Sequence, residues 1–300
     1  MPQTQRFDLQ RKIISCMTSA GWRESPHVAF LYEPEVSGLM ETLNELNDHR
    51  DAPSRITLNT VMMKIIAEAV KAAPAVNSHI RYHRRSECGE LTSFSNVDVT
   101  MPVLLESDGT VVLKVRGVEQ KSLTEIQNTV ADLFRRLGNT HLQQAMYEVS
   151  LHDTLTELKH FHLLKAIARF LGFWLEGGPK TLLHGAEKRA YLALPATERL
   201  TRRDMDQGTI MVTNPGVLFR HLSLLTTTMM VLVPPQVTGI SIGTVQQRPV
   251  VGEDGTVRAG KVLPLSIVCD HRALDAADFV PFIERIDRIM QDPEVLREWV

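Results

Sequence analysis

The sequence predicts an α/β fold, and three observations predict it. A helix-period segment opens the chain and leads at once into a β-branched and aromatic run. A central β-rich stretch is broken by a single turn signal. The C-terminal part returns to short strands and closes on an amphipathic helix.

Taken in order, Leu9, Ile13, Ile14 and Met17 recur at helical spacing between Asp8 and Ser19, and His27 to Tyr32 reads as a strand. A second helix is expected from Val36 to Leu46. A third runs from Thr57, a candidate N-cap, to Ala73 before Pro74, with Val61, Ile65, Ala69 and Val70 on its apolar face. Between Leu91 and Val115, β-branched residues flank Ser107-Asp108-Gly109, the turn chemistry of two paired strands. Ser122 to Leu137 is helical by the spacing of Leu123, Ile126, Val130, Leu133 and Leu137, with Gly138 as C-terminal cap. The texture then changes. Residues 140–205 read as a helical insertion, and Leu158 to Leu175 interleaves Phe161, Leu164, Leu171 and Trp174 with Lys159, Lys165 and Arg169. Strands are expected at Ile210 to Thr213, Thr226 to Val233, Gly239 to Thr244 and Lys261 to Val268, followed by a helix from Asp275 to Met290.

Bulk properties narrow the partners. With 300 residues, 43% hydrophobic, 23% charged and a net charge of -2, the chain has globular composition and no field that would gather phosphate backbones or anionic lipids. Nucleic acid is therefore not an expected partner. Three scattered cysteines, Cys16, Cys88 and Cys269, form neither a disulfide framework nor a zinc motif, which points to a reducing, cytoplasmic setting without a metal. Neither a signal-peptide run nor eighteen consecutive apolar residues are present.

The chemistry concentrates in Asp270-His271-Arg272-Ala273-Leu274-Asp275, which joins the strand containing Leu265 to Val268 to the closing helix. A titratable imidazole at a strand-to-helix turn is held by fixed backbone toward a ligand. This stretch resembles the D-H-R-x-x-D-G signature of the dihydrolipoyl acyltransferases, the core subunits of 2-oxoacid dehydrogenase complexes. Further motifs follow in order: Arg11-Lys12-Ile13-Ile14, Pro26-His27, Ile56-Thr57-Leu58-Asn59 with Lys64, Pro74 to Ser78, Asn96-Val97-Asp98-Val99, Gly208 to Gly216, and Pro234-Pro235-Gln236. They resemble the family's R-K-x-I helix, P-H strand start, helix entry, P-x-x-N-S turn, V-D-V strand, G-T-F-T-x-[ST]-N-x-G element and P-P-Q turn. Departures are Ala276 in place of the usual Gly and Val111-Val112-Leu113 without the usual proline.

The resemblance implies a single catalytic domain over residues 1–300 with the 140–205 insertion inside it. It implies a chloramphenicol-acetyltransferase-like two-layer sandwich, a mixed sheet covered by helices, that trimerises or forms larger assemblies of trimers with active sites between subunits. The implied activity is acyl transfer between coenzyme A and a dihydrolipoamide-like thiol or other acceptor, without a covalent acyl-enzyme. His271 is the implied general base, Thr213 the oxyanion donor, and Asp275 with Arg11 an orienting pair. No lipoyl domain, subunit-binding domain or Ala/Pro-rich linker precedes residue 9, so a lipoyl group is expected in trans, on a separate protein. The cluster Arg81 to Arg85 has the chemistry to meet coenzyme A phosphates, but it reads first as a solvated loop. Two other functions fit the same features: a non-catalytic trimeric scaffold, and a membrane-surface acyltransferase acting on a lipid or small molecule, with residues 158–175 against the bilayer.

Overall fold

Polar caps start the helices that the sequence marks. Thr57 accepts the Thr60 amide at 3.3 Å, Ser122 and Glu125 exchange hydrogen bonds at 2.8 and 3.2 Å, and Asp275 accepts the Ala277 amide at 2.8 Å. Each satisfies first-turn donors that a helix leaves open. The structure is a computed structural model that describes residues 7, 9–105, 109–159, 182–219, 228–252 and 254–300.

The elements run α1 (Leu9–Glu24), β1 (His27–Tyr32), α2 (Ser37–Asn47), α3 (Leu58–Val70), β2 (Ser78–His83), β3 (Cys88–Ser93), β4 (Val99–Leu105) and β5 (Gly109–Val115). They continue with α4 (Leu123–Gly138), α5 (Leu142–Lys159), α6 (Gly185–Ala193), α7 (Arg202–Met205), β6 (Ile210–Thr213) and α8 (Gly216–Phe219). β7 (Thr238–Ile242), β8 (Gln246–Val251), β9 (Val257–Val262), β10 (Leu265–Asp270) and α9 (Ala276–Gln291) complete the chain, with a short 3-10 segment at Pro293–Trp299.

Two compact units emerge. One comprises residues 1–16, 103–113 and 132–206, the other 17–102, 114–131 and 207–300. In the first, Arg136 on α4 bridges Asp132 at 2.8 Å and Asp204 on α7 at 2.9 Å, and Leu200 is fully buried. This unit holds α5, α6 and α7 of the expected 140–205 helical segment. Most of the amphipathic run expected at Leu158 to Leu175 lies outside the described residues.

A six-stranded sheet runs in the order β1-β10-β7-β6-β4-β5, of which β1, β10, β7, β6 and the start of β4 lie in the second unit. β1, β10 and β7 pair antiparallel, while β7, β6 and β4 pair parallel, so the sheet is mixed. Register separates its faces. Val212, Ile240, Ile267 and Phe30 stand in one row, and Phe30 stacks on Phe279 of α9 with ring centroids 5.3 Å apart. This face is the helix-covered core. Thr213, Ser241, Ser266 and Leu31 form the neighbouring row and point to the opposite face.

Several sequence expectations change here. Residues 228–233 of the expected Thr226-to-Val233 strand are not a strand. They lie across the sheet: the Thr228 and Ser241 hydroxyls are 2.6 Å apart, and Met230 and Leu232 sit over Gly239, where a Cβ would come within 2.7 Å of the Met230 sulfur. The absent side chain of Gly239 gives this apolar run a place to pack, so its residues serve as cover instead of ladder. The Lys261-to-Val268 run breaks at Leu263-Pro264 into β9 and β10, and β9 pairs with the unexpected β8. Arg81-Tyr82-His83 belongs to a second unexpected hairpin, β2-β3, in place of a loop.

Candidate active site

The Asp270-to-Asp275 turn is held from three sides. The Ala273 and Leu274 amides fold back onto the Asp270 carbonyl at 3.0 and 3.2 Å, and the His271 amide donates to the Pro26 carbonyl at 2.9 Å. Asp270, completely buried, meets the Arg272 guanidinium at 2.6 Å. A second contact comes from the Arg272 Nε at 3.0 Å. Arg272 also reaches the Ser25 hydroxyl at 3.3 Å and lies over the Tyr82 ring, 5.1 Å from its centroid. The hydrogen bonds to Asp270 raise the pKa of Arg272 further. In the D-H-R motif the flanking pair is thus structural: a buried carboxylate neutralised by a two-contact guanidinium fixes the backbone on which the histidine sits.

His271 is exposed, and its Nδ1 is 3.0 Å from the Leu274 carbonyl. A carbonyl only accepts, so this contact assigns the proton of the neutral ring to Nδ1 and leaves the Nε2 lone pair available. The ring borders a cavity of about 500 Å³ whose other walls are Val28, Phe30, Cys269, Leu274, Ala276 and Ala277. Burial pushes the Cys269 thiol up to about 11, so it stays protonated and inert as a nucleophile. Asp275 touches the same cavity. Its carboxylate takes the Ala277 and Asp278 amides at 2.8 and 3.4 Å, so it fixes the start of α9.

Thr213 ends β6 and does not join this cluster. The Gly208-Thr209 start of that segment is locked: the Gly208 amide donates to the Thr100 hydroxyl at 2.8 Å, and the Gly208 carbonyl accepts from Gln236 at 2.9 Å and His79 at 3.0 Å. Any Cβ at Gly208 would meet the Asp98 carbonyl oxygen at 2.3 Å, so only glycine fits. Thr213 shares its register row with Ser266, whereas His271 lies beyond the far end of β10. Five residues at about 3.3 Å and two strand spacings of about 4.8 Å put the two positions roughly 19 Å apart in one chain. Arg11, the fourth expected site residue, stands on α1 in the first unit. The Arg84-Arg85 end of the basic cluster is the exposed turn of the β2-β3 hairpin, while Tyr82 supports Arg272.

His27 was legible only as the first residue of a strand. Its Nε2 accepts the Leu232 amide at 2.9 Å, which ties the 228–232 cover to the strand that also holds His271. Burial lowers its pKa from 6.5, with Asp270 pulling the other way. Because the folded value is the lower one, the unfolded chain binds more protons just below pH 6.5. The stabilisation from neutral His27 is complete above that pH and is lost as pH falls from there toward the folded pKa. Urea midpoints at pH 7.5 and 5.5 should therefore drop more for the wild type than for His27→Gln, and equal drops would refute the clamp.

The sequence model of one family, 2-oxoacid dehydrogenases acyltransferase (catalytic domain), matches residues 3–150 and 186–297. The dihydrolipoyllysine-residue acetyltransferase component of the pyruvate dehydrogenase complex from Staphylococcus epidermidis is 22% identical over 98% of this chain and 52% of its own length. The corresponding component from Zymomonas mobilis is 19% identical over 94% of this chain and 48% of its own. The chain thus spans about half the length of these curated relatives. The dihydrolipoamide acetyltransferase of Azotobacter vinelandii, whose structure was used to study a serine, a histidine and an asparagine in its catalytic mechanism, superposes with a TM-score of 0.67 at 18% identity, covering 99% of this chain and 94% of that one. The two-layer, mixed-sheet fold expected from the sequence is therefore the fold of these catalytic cores, and the chain belongs to the 2-oxoacid dehydrogenase acyltransferase catalytic-domain family.

Proposed function

We propose that this protein transfers an acyl group between coenzyme A and the thiol of a dihydrolipoamide-like acceptor, with His271 as general base. The observation that carries the reading is the Nδ1 contact of His271 to the Leu274 carbonyl, which leaves Nε2 as the proton acceptor at the mouth of a cavity. The attacking thiol gives its proton to Nε2, its sulfur adds to the thioester carbonyl, and the Thr213 hydroxyl donates to the oxygen that becomes negative. Collapse expels the second sulfur, which recovers the proton from the imidazolium, so no covalent acyl-enzyme is needed. General-base catalysis contributes on the order of 10²–10⁴-fold, and one oxyanion donor about 10²–10³-fold.

The separation of Thr213 from His271 within one chain supports a site built between neighbouring subunits, in a trimer or an assembly of trimers. On this reading residues 1–300 act as one catalytic domain with the 140–205 segment inserted, Arg11 completes the orientation of Asp275, and the acceptor thiol is that of a lipoyl group in the cytoplasm. Thiol release from acyl-coenzyme A with free dihydrolipoamide as acceptor tests the activity. The interface has its own test. His271→Ala and Thr213→Ala chains, each inactive alone, should regain about a quarter of wild-type activity when co-expressed in equal amounts, because random mixing restores both groups at that share of sites. Mixed oligomers without activity would place both groups in one chain and refute the interface.

A further inference from the structure

The cavity beside His271 has walls that discriminate among acyl groups. Val28 and Phe30 lie two residues apart on one face of β1, and Cys269 faces Val28 in register, so these side chains line one wall. Leu274, Ala276 and Ala277 form the other, where the turn enters α9. At about 500 Å³ the space falls in the range of roughly 300–1,000 Å³ typical of ligand pockets. It far exceeds a methyl group, whose size is near the ~30 Å³ share of one water molecule.

Apart from the His271 Nε2, the polar side chains of the lining are engaged. The Leu274 carbonyl holds the His271 ring, Asp275 takes the two amides of the α9 start, and Cys269 keeps its proton. Among the described residues, neither lysine nor arginine lines the cavity. Asp275 lies at the wall and Asp278 follows within the same helical turn, so the charge nearest the cavity is negative. A carboxylate entering here would leave water, meet no cationic lysine or arginine among the lining residues and face like charge. An aliphatic chain loses nothing and gains burial.

We propose that this cavity receives the acyl chain and selects uncharged aliphatic acyl groups longer than acetyl over dicarboxylic ones. The assignment rests on the acyl-transfer reading and adds the substrate class. The test compares kcat/KM for acetyl-, propionyl-, butyryl- and succinyl-coenzyme A on the full chain. The value should rise about fourfold per added methylene, and succinyl should fall at least about tenfold below butyryl, which has the same number of carbons. Ala277→Leu, an exposed first-turn position suited to a helix former, should collapse the butyryl-to-acetyl ratio toward one by filling the space. Ala277→Arg should raise succinyl relative to butyryl. A flat wild-type series, or succinyl matching butyryl, overturns the assignment while acetyl turnover leaves acyl transfer standing. No turnover of any donor overturns both.

Discussion

His271→Ala should lower kcat by about 10²–10⁴-fold while leaving the thermal midpoint near that of the wild type. The two halves of this expectation have separate causes. Catalysis is lost because Nε2 is the nitrogen left free once Nδ1 is engaged by the Leu274 carbonyl. Stability is kept because the ring is exposed and because the turn is held by backbone contacts and by the Asp270–Arg272 pair, none of which uses the imidazole. His271→Asn and His271→Gln, which keep a polar group but cannot accept a proton at neutral pH, should be impaired to a similar extent. Activity within twofold of wild type in the alanine variant, measured on folded protein, would remove His271 from the mechanism.

Arg272→Ala should have the largest effect on stability, about 3–5 kcal/mol, by leaving Asp270 buried without a counter-charge. The guanidinium contacts both carboxylate oxygens, at 3.0 and 2.6 Å, and Asp270 has no exposed surface to recover water. Activity should fall with it, because the backbone that aims His271 loses its brace. Denaturant midpoints give the measurement, and replacing both residues by apolar ones of similar size should cost less than Arg272→Ala alone. A single substitution costing under 1 kcal/mol would mean that the pair is not what fixes the turn.

The sequence carried much of this site. The D-H-R stretch, the helix cap at Thr57 and the β6 strand are local signals, readable because one residue type at one spacing meets a nearby backbone group. What escaped was set by distant partners. The 228–233 run has the composition of a strand, and only Gly239 across the sheet makes room for it as cover. His27 looked like a strand residue because its partner, Leu232, is 205 positions away. Gln236 was marked as part of a turn, yet its role is to hold the Gly208 carbonyl at the start of the Thr213 strand. The distance between Thr213 and His271 was likewise invisible until strand order and direction were known, since sequence spacing says nothing of which sheet end each residue occupies.

The contact of Arg272 with Ser25 spans 247 residues, and the neighbouring His271-to-Pro26 bond closes the same loop. At about 5–20 residues per second, a ribosome needs roughly 12–50 seconds between making β1 and making the turn that β1 holds. Through that interval β10, the neighbour of β1 in the sheet among the described residues, is still to be made. The proposed site is therefore assembled only once β10 is made, and a nascent chain stalled before β10 presents β1 as an unpaired edge open to chaperones or to misassembly.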